Sequence, residues 1–316
     1  MYKIIVPSMV AAVAFLASPA LSADLRPMPV KAVPAAAPSP WDWAFGGWVM
    51  SDYNFRGISQ SNRGPSATVY SETRYNVTSS LQLYGGSQTW AVTLPTDPTA
   101  EVDFYGGIRP TVGPFAFDFG AMYYWYPREK QHATGVPGAP FPSFPNGNLT
   151  LKNTDFWEGY GKVAWEIMKD KFAVGAAVYY SPSWLNTGAD GTFAVANAKL
   201  TLPSFSLNLG MIDQVGWYVS AEVGHYWLGT TDVVPVVFPV AINLPNYTTW
   251  NAGVAFTWKV ATLDLRYYDT DLSRVNCNIL TGDPNAVVTV TGVQSKWCDA
   301  AFIATLKFDL TLANLK

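Results

Sequence analysis

The chain has 316 residues, a formal net charge of −3, and 14% charged against 15% aromatic side chains. That balance argues against nucleic acid as a partner, which demands clustered Lys and Arg, and it falls well below the quarter of charged residues usual in soluble domains. Beyond the first two dozen residues no apolar stretch reaches the eighteen or so that a spanning helix needs. A membrane protein without such helices must close its strands into a barrel, because lipid satisfies no open sheet edge.

Lys3 provides a basic start, Ile4 to Leu16 form an apolar run broken only by Pro7 and Ser8, and Ala20-Leu21-Ser22 offers the small residues that a signal peptidase reads. Residues 1–22 are therefore expected to be a secretory signal, cut after Ser22. Residues 23–42 follow as a tail dominated by Pro27, Pro29, Pro34, Pro38 and Pro40 with Ala35-Ala36-Ala37. Prolines at this density hold a chain near polyproline II, and this tail carries no evident chemistry.

From residue 43 to 316 the expectation is an all-β transmembrane antiparallel up-and-down β-barrel of about twelve strands. Period-two alternation marks Trp48–Arg56, Ala67–Val77, Leu81–Trp90 and Glu101–Thr111. It continues through Phe115–Tyr126, Asp155–Glu166, Phe172–Tyr180 and Thr192–Leu202, then Trp217–Trp227, Thr249–Val260, Thr262–Asp269 and Asp299–Leu310. Each is near the nine to eleven residues of a tilted spanning strand.

Tryptophans bracket several of these segments: Trp157 with Trp165, Trp217 with Trp227, and Trp250 with Trp258. Eight to ten residues at about 3.3 Å, tilted about 45°, project to roughly 19–23 Å, close to the apolar band of about 25 Å between the aromatic girdles of outer-membrane barrels. Tight turns at 77–80, 112–114, 168–170 and 259–261 alternate with longer connections. That is the pattern of periplasmic turns and extracellular loops, and it brings both termini to the periplasmic side. Pro203 to Gly216 breaks the rule, and Ser206–Leu209 is read there as an added piece of strand. The tract Val287–Val290, near Thr289 and Thr291, suggests a short hairpin outside the membrane.

Ser51-Asp52-Tyr53-Asn54-Phe55-Arg56-Gly57-Ile58-Ser59-Gln60-Ser61 resembles the opening motif of the TorF family of outer-membrane porins. The likeness continues at Glu101-Val102-Asp103-Phe104-Tyr105-Gly106-Gly107 and Tyr123-Tyr124-Trp125-Tyr126-Pro127, and more loosely at 153–158 and 261–265. The resemblance implies a barrel with a channel role and brings no substrate. Pro127–Thr154 is long for that pattern, and the chain runs past Phe308 to Lys316 rather than stopping at an aromatic residue.

Nothing in the chain assembles an enzyme, a cofactor site or a metal site. Its two histidines stand apart, His132 in the longest loop and His225 on an apolar strand face. A Ser–His lipid hydrolase would use His225, and no G-x-S-x-G accompanies it. Gly57 to Gly64 is glycine-bounded but lacks the Lys-Ser/Thr ending of a phosphate loop, and is read as a surface turn. Cys277 and Cys298 are the only cysteines, and in an exported chain they are expected to pair as a disulfide.

The remaining candidate is the inner face. Arg56, Glu72, Arg74, Glu101, Asp103, Arg109, Asp118, Glu158, Lys162, Glu222, Lys259, Asp264, Arg266, Lys307 and Asp309 are assigned to it, because Lys or Arg facing lipid at mid-depth costs about 2–4 kcal/mol. The functional expectation is a porin-like channel for small hydrophilic solutes or ions. Ion pairs such as Asp264 with Lys307, or Arg109 with Asp118, would instead plug the barrel as a structural or adhesin-like scaffold. Expected partners are outer-membrane lipid, small hydrophilic solutes and, during biogenesis, the barrel-assembly machinery. The sequence leaves the oligomeric state open.

Overall fold

The structure, a computed structural model, describes residues 40–130, 153–207, 214–232 and 241–312. The signal, most of the proline-rich tail, His132 and most of the 127–154 loop lie outside the described residues. Twelve antiparallel strands form one closed barrel, each bonded to its neighbours in chain order. They are β1 Trp41–Met50, β2 Ser66–Thr78, β3 Leu81–Trp90, β4 Glu101–Val112, β5 Phe115–Trp125 and β6 Phe156–Met168. The ring continues with β7 Phe172–Ser181, β8 Gly191–Phe205, β9 Val215–Leu228, β10 Tyr247–Trp258, β11 Ala261–Thr270 and β12 Ala301–Thr311. β12 closes on β1 with Ala44 opposite Thr311 and Met50 opposite Thr305.

Alternation decides which way each side chain points. Along β2, Ser66, Thr68, Tyr70, Glu72 and Arg74 are buried, while Ala67, Val69 and Thr73 are exposed. Val69 is 63% exposed and Phe302 on β12 is 84% exposed, whereas Glu72 and Asp103 are wholly buried. The barrel is thus inverted relative to one folded in water, with polar and charged groups inside and apolar groups outside. Among the described residues no helix is long and apolar enough to cross a membrane.

The bracketing tryptophans follow the outward register in two belts: Trp157, Trp227 and Trp250 near the loop end, and Trp165, Trp217 and Trp258 near the turn end. Trp41 and Trp43 extend the turn-end belt and Trp125 the loop-end belt, all three exposed.

Three details depart from expectation. The first strand is Trp41–Met50, not Trp48–Arg56, because pairing with β2 begins at Trp41, pairing with β12 begins at Ala44, and both stop at Met50. Next, Pro203–Phe205 belong to β8, and Phe205 pairs with Val215 after a register shift. The long connection therefore shrinks, and Ser206 and Leu207 are not in a strand. The other half of the expected extra piece, Asn208 and Leu209, lies outside the described residues. Finally, the connection before β12 carries a helix, α1 Arg274–Thr281, capped by Ser273 and ended by Gly282 in the left-handed region. A short hairpin, Val287–Thr289 against Gly292–Gln294, stands beside it. Cys277 and Cys298 form the disulfide, with Cα atoms 5.9 Å apart.

Candidate functional site

After Met50 the chain turns inward. The Asp52 carboxylate accepts the hydroxyls of Ser59 and Ser61, at 2.6 and 2.9 Å, which folds residues 51–65 back on themselves. Asn54 pairs with Ser59 and Phe55 with Ile58, so Arg56 and Gly57 are the two central residues of the turn. Their φ angles, 49° and 89°, are both left-handed, as a type I′ turn requires. Gly57 has no alternative. A Cβ there would lie 2.3 Å from Thr270 Cγ2 and 2.5 Å from Thr249 Oγ1, because the turn is lodged against β10 and β11.

This hairpin is not a surface turn, since Tyr53 and Arg56 are completely buried. Tyr53 stacks on Trp90 with ring centres 4.2 Å apart and 9° between planes. Its hydroxyl donates to Glu101 at 2.6 Å, and Tyr126 donates to the other Glu101 oxygen at 2.8 Å. The Ser59 amide donates to the Trp297 carbonyl, and Trp297 Nε1 donates to Asn62 Oδ1. The hairpin and the disulfide-bearing loop are therefore stitched together.

Arg56 crosses the lumen. Its two terminal nitrogens donate to the two Glu158 oxygens, each at 2.7 Å. The guanidinium carbon lies 4.6 Å from the Phe55 ring centre, 4.8 Å from Tyr179, 4.6 Å from Phe193 and 5.0 Å from Tyr226. Tyr124 and Tyr226 donate their hydroxyls to Glu158, at 3.0 and 3.4 Å. A charge removed from water persists only when such partners replace its hydration.

The lumen below is crossed by two further networks. Toward the turn end, Arg109 forks onto Glu72 at 2.9 and 3.0 Å and reaches Asp118 at 3.4 Å. Arg74 joins Glu72 to Asp42, and Tyr84 donates to Asp118. On the other side Arg266 binds both oxygens of Asp264 at 3.1 Å and also Asn251 and Ser220, while Asn251 donates to Glu222. Asp103 accepts from Gln88 and Trp90, and Asp309 from Tyr70. Lys162 lies over the Tyr160 ring at 4.0 Å, Lys199 over Tyr218 at 4.3 Å and Lys307 over Trp48 at 5.0 Å.

Thirteen of the fifteen residues assigned to the inner face therefore occupy inward strand positions, and two do not. Arg56 is inside the barrel, but on the hairpin rather than on a strand. Lys259 sits in the tight turn after β10, exposed, with its amine 4.8 Å from the Trp258 ring. The expected pair of Asp264 with Lys307 is replaced by Asp264 with Arg266, because that guanidinium offers a fork to the same carboxylate. The Arg109–Asp118 contact is present. Asp42 and Lys199 join the inner face without having been expected there, beside inward tyrosines such as Tyr105 and Tyr268; Asp42 falls in the segment read as tail, and strand parity alone would find Lys199.

Outside the spanning strands, burial pushes the Asp52 carboxyl above its usual range, against the opposing pull of Ser59, Ser61 and Arg63. Burial, then Glu101 and Asp103, hold Tyr53 and Tyr126 well above theirs, so both remain hydrogen-bond donors. No group of three or more metal-binding side chains occurs among the described residues. His225 faces outward, with Nδ1 2.9 Å from Thr248 Oγ1 and its ring on Trp227. Above the hairpin lies a cavity of about 70 Å³, walled by Phe55, Phe156, Trp184, Tyr226, Leu280 and Trp297 among others.

No curated protein matches the chain. Among solved structures it is similar to an outer membrane channel from Pseudomonas putida F1, with 10% identity, 88% of this chain and 97% of that one covered, and a TM-score of 0.42. LpxR from Salmonella typhimurium matches with 10% identity, 84% and 99% coverage and a TM-score of 0.40. The NanC porin matches with 9% identity, 85% and 98% coverage and a TM-score of 0.37. Likeness at this level bears on neither substrate nor activity. A family model matches residues 34–293, and the chain belongs to that family, the bacterial proteins of unknown function called Gcw_chp.

Proposed function

We propose that this chain is an outer-membrane, porin-like channel for small hydrophilic solutes or ions, closed in the described conformation by the hairpin 51–65. The observation that carries the reading is the inverted barrel, whose apolar exterior suits lipid and whose lumen carries charges of both signs. Twelve strands lie between the eight that side chains fill and the sixteen that leave open water, so a modest obstacle is enough to shut the passage. The TorF resemblance of residues 51–61 falls on that obstacle and supports the same reading. Residues 1–22 act as the export signal, the chain ends and tight turns face the periplasm, and assembly runs through the barrel-assembly machinery.

One observation favours a second reading, a plugged scaffold acting through its loops. The wall charges are nearly all buried, including Glu72, Asp103, Glu158, Asp264 and Arg266. Refolded protein in planar bilayers separates the two. The channel reading expects stepwise conductance whose reversal potential under a salt gradient shifts in Lys162→Glu and not in Lys130→Glu, whose charge is solvated and screened within about 8 Å. Folded protein that never conducts, and gives no solute uptake by liposomes, leaves the scaffold.

A further inference from the structure

Five groups surround the Arg56 guanidinium: the Glu158 fork and the faces of Phe55, Tyr179, Phe193 and Tyr226. Only Phe55 travels with the hairpin. Glu158, Tyr179, Phe193 and Tyr226 come one each from β6, β7, β8 and β9, four neighbouring strands of the wall. The receptor for the guanidinium is thus built on the rigid sheet, and it remains when the hairpin withdraws. Tyr124 keeps the Glu158 carboxylate oriented from the wall side as well.

A carboxylate facing ring surfaces recognises one class of ligand. A delocalised or alkylated cation is weakly hydrated and gains from both the ring quadrupoles and the carboxylate fork. A small hydrated ion such as Na⁺ loses more water than rings give back. The cavity above the hairpin adds independent support. It shares Tyr226 with the wall and Phe55 with the hairpin, sits at the loop end, and is walled chiefly by aromatic and aliphatic side chains, as an organic cation rather than a sugar acid or a phosphate would need.

We propose that the wall cage of Glu158, Tyr179, Phe193 and Tyr226 is a binding site for a small organic cation with a guanidinium or alkylammonium head, and that Arg56 is its tethered occupant. The inference rests on the channel reading for its role in passage, naming the class of solute that displaces the hairpin. Binding by the cage does not require conduction.

The test uses full-length refolded Arg56→Ala, with methylguanidinium chloride as probe and sodium chloride at equal ionic strength as control. Calorimetry in detergent is expected to give saturable methylguanidinium binding, none with sodium, and affinity lower by at least about tenfold in Arg56→Ala/Glu158→Gln. Arg56→Ala that is folded, by circular dichroism and anomalous migration unheated, yet binds methylguanidinium no better than sodium overturns the proposal. Should Arg56→Ala not fold alone, refolding is repeated with the probe. Recovery of folded barrel supports the cage, and no recovery overturns it. Conductance in potassium chloride keeps the two readings apart. Binding without conductance in any variant removes the transport role and leaves the site, whereas conductance without binding removes the site and leaves the channel.

Discussion

Arg56 and Glu158, 102 residues apart in the chain, meet across the lumen through two bonds of 2.7 Å, with 0% and 1% of their side chains exposed. One partner rides on a hairpin and the other on the wall, so this contact is one of those that hold the hairpin in the outer lumen. Removing one member of a buried pair strands the other charge, at a cost of about 3–5 kcal/mol. Glu158→Gln keeps the volume and loses the fork. Hydrogen exchange by mass spectrometry is expected to show faster exchange across residues 53–61, with the strands protected as before. Unchanged protection of the hairpin would mean that the pair does not hold it.

Gly57 supplies an independent way to release the same element. With φ at +89° and Thr249 and Thr270 packed where a Cβ would stand, Gly57→Ala is expected to expel the turn. Trypsin should then cut after Arg56, which is inaccessible in the native barrel. Gly159, where an added Cβ would meet nothing within 4 Å, provides the control, and Gly159→Ala should resist cleavage like the parent protein. Resistance in both variants would argue that the hairpin tolerates what the packing forbids.

The Cys277–Cys298 bridge closes a separation of 21 residues and ties α1 to the segment that contacts the hairpin. In the chain-entropy model such a loop is worth about 3 kcal/mol. Cys277→Ser/Cys298→Ser should leave the barrel intact while lowering the unfolding midpoint and speeding exchange at residues 274–298. Free thiols in unreduced purified protein would contradict the pairing itself.

The strands and the inward register are legible in the sequence because lipid outside and charge inside impose a strict two-residue period. The first strand is not. Trp41 to Gly47 holds an aspartate and two glycines, poor strand formers, and abuts a proline-rich tail, while the alternation from Trp48 onward continues past the true end at Met50. The cage is equally hidden, since Arg56, Glu158, Tyr179, Phe193 and Tyr226 are brought together only by closure of the ring. What the sequence does carry is the odd pair Arg56-Gly57, whose turn chemistry points to a hairpin rather than a strand. Lys259 is misplaced by alternation alone, which continues one residue beyond β10 into a turn where φ is 52°.

The outward face makes a separate prediction. Leu265 lies mid-strand on β11 and is 42% exposed, so it faces lipid if the barrel spans a membrane. Leu265→Arg should then cost about 2–4 kcal/mol in folding from urea into lipid vesicles. Val287→Arg, on the exposed loop hairpin, should cost little. Equal tolerance at both positions would argue against a membrane-embedded exterior.

The most direct measurement is single-channel conductance of the parent protein beside Glu158→Gln and Gly57→Ala in the same planar bilayers. A polar lumen closed by the hairpin predicts a parent that is mostly closed and two variants, altered on opposite sides of one contact, that both open to a larger and more frequent conductance. Three folded proteins with the same conductance, or with none, would contradict it.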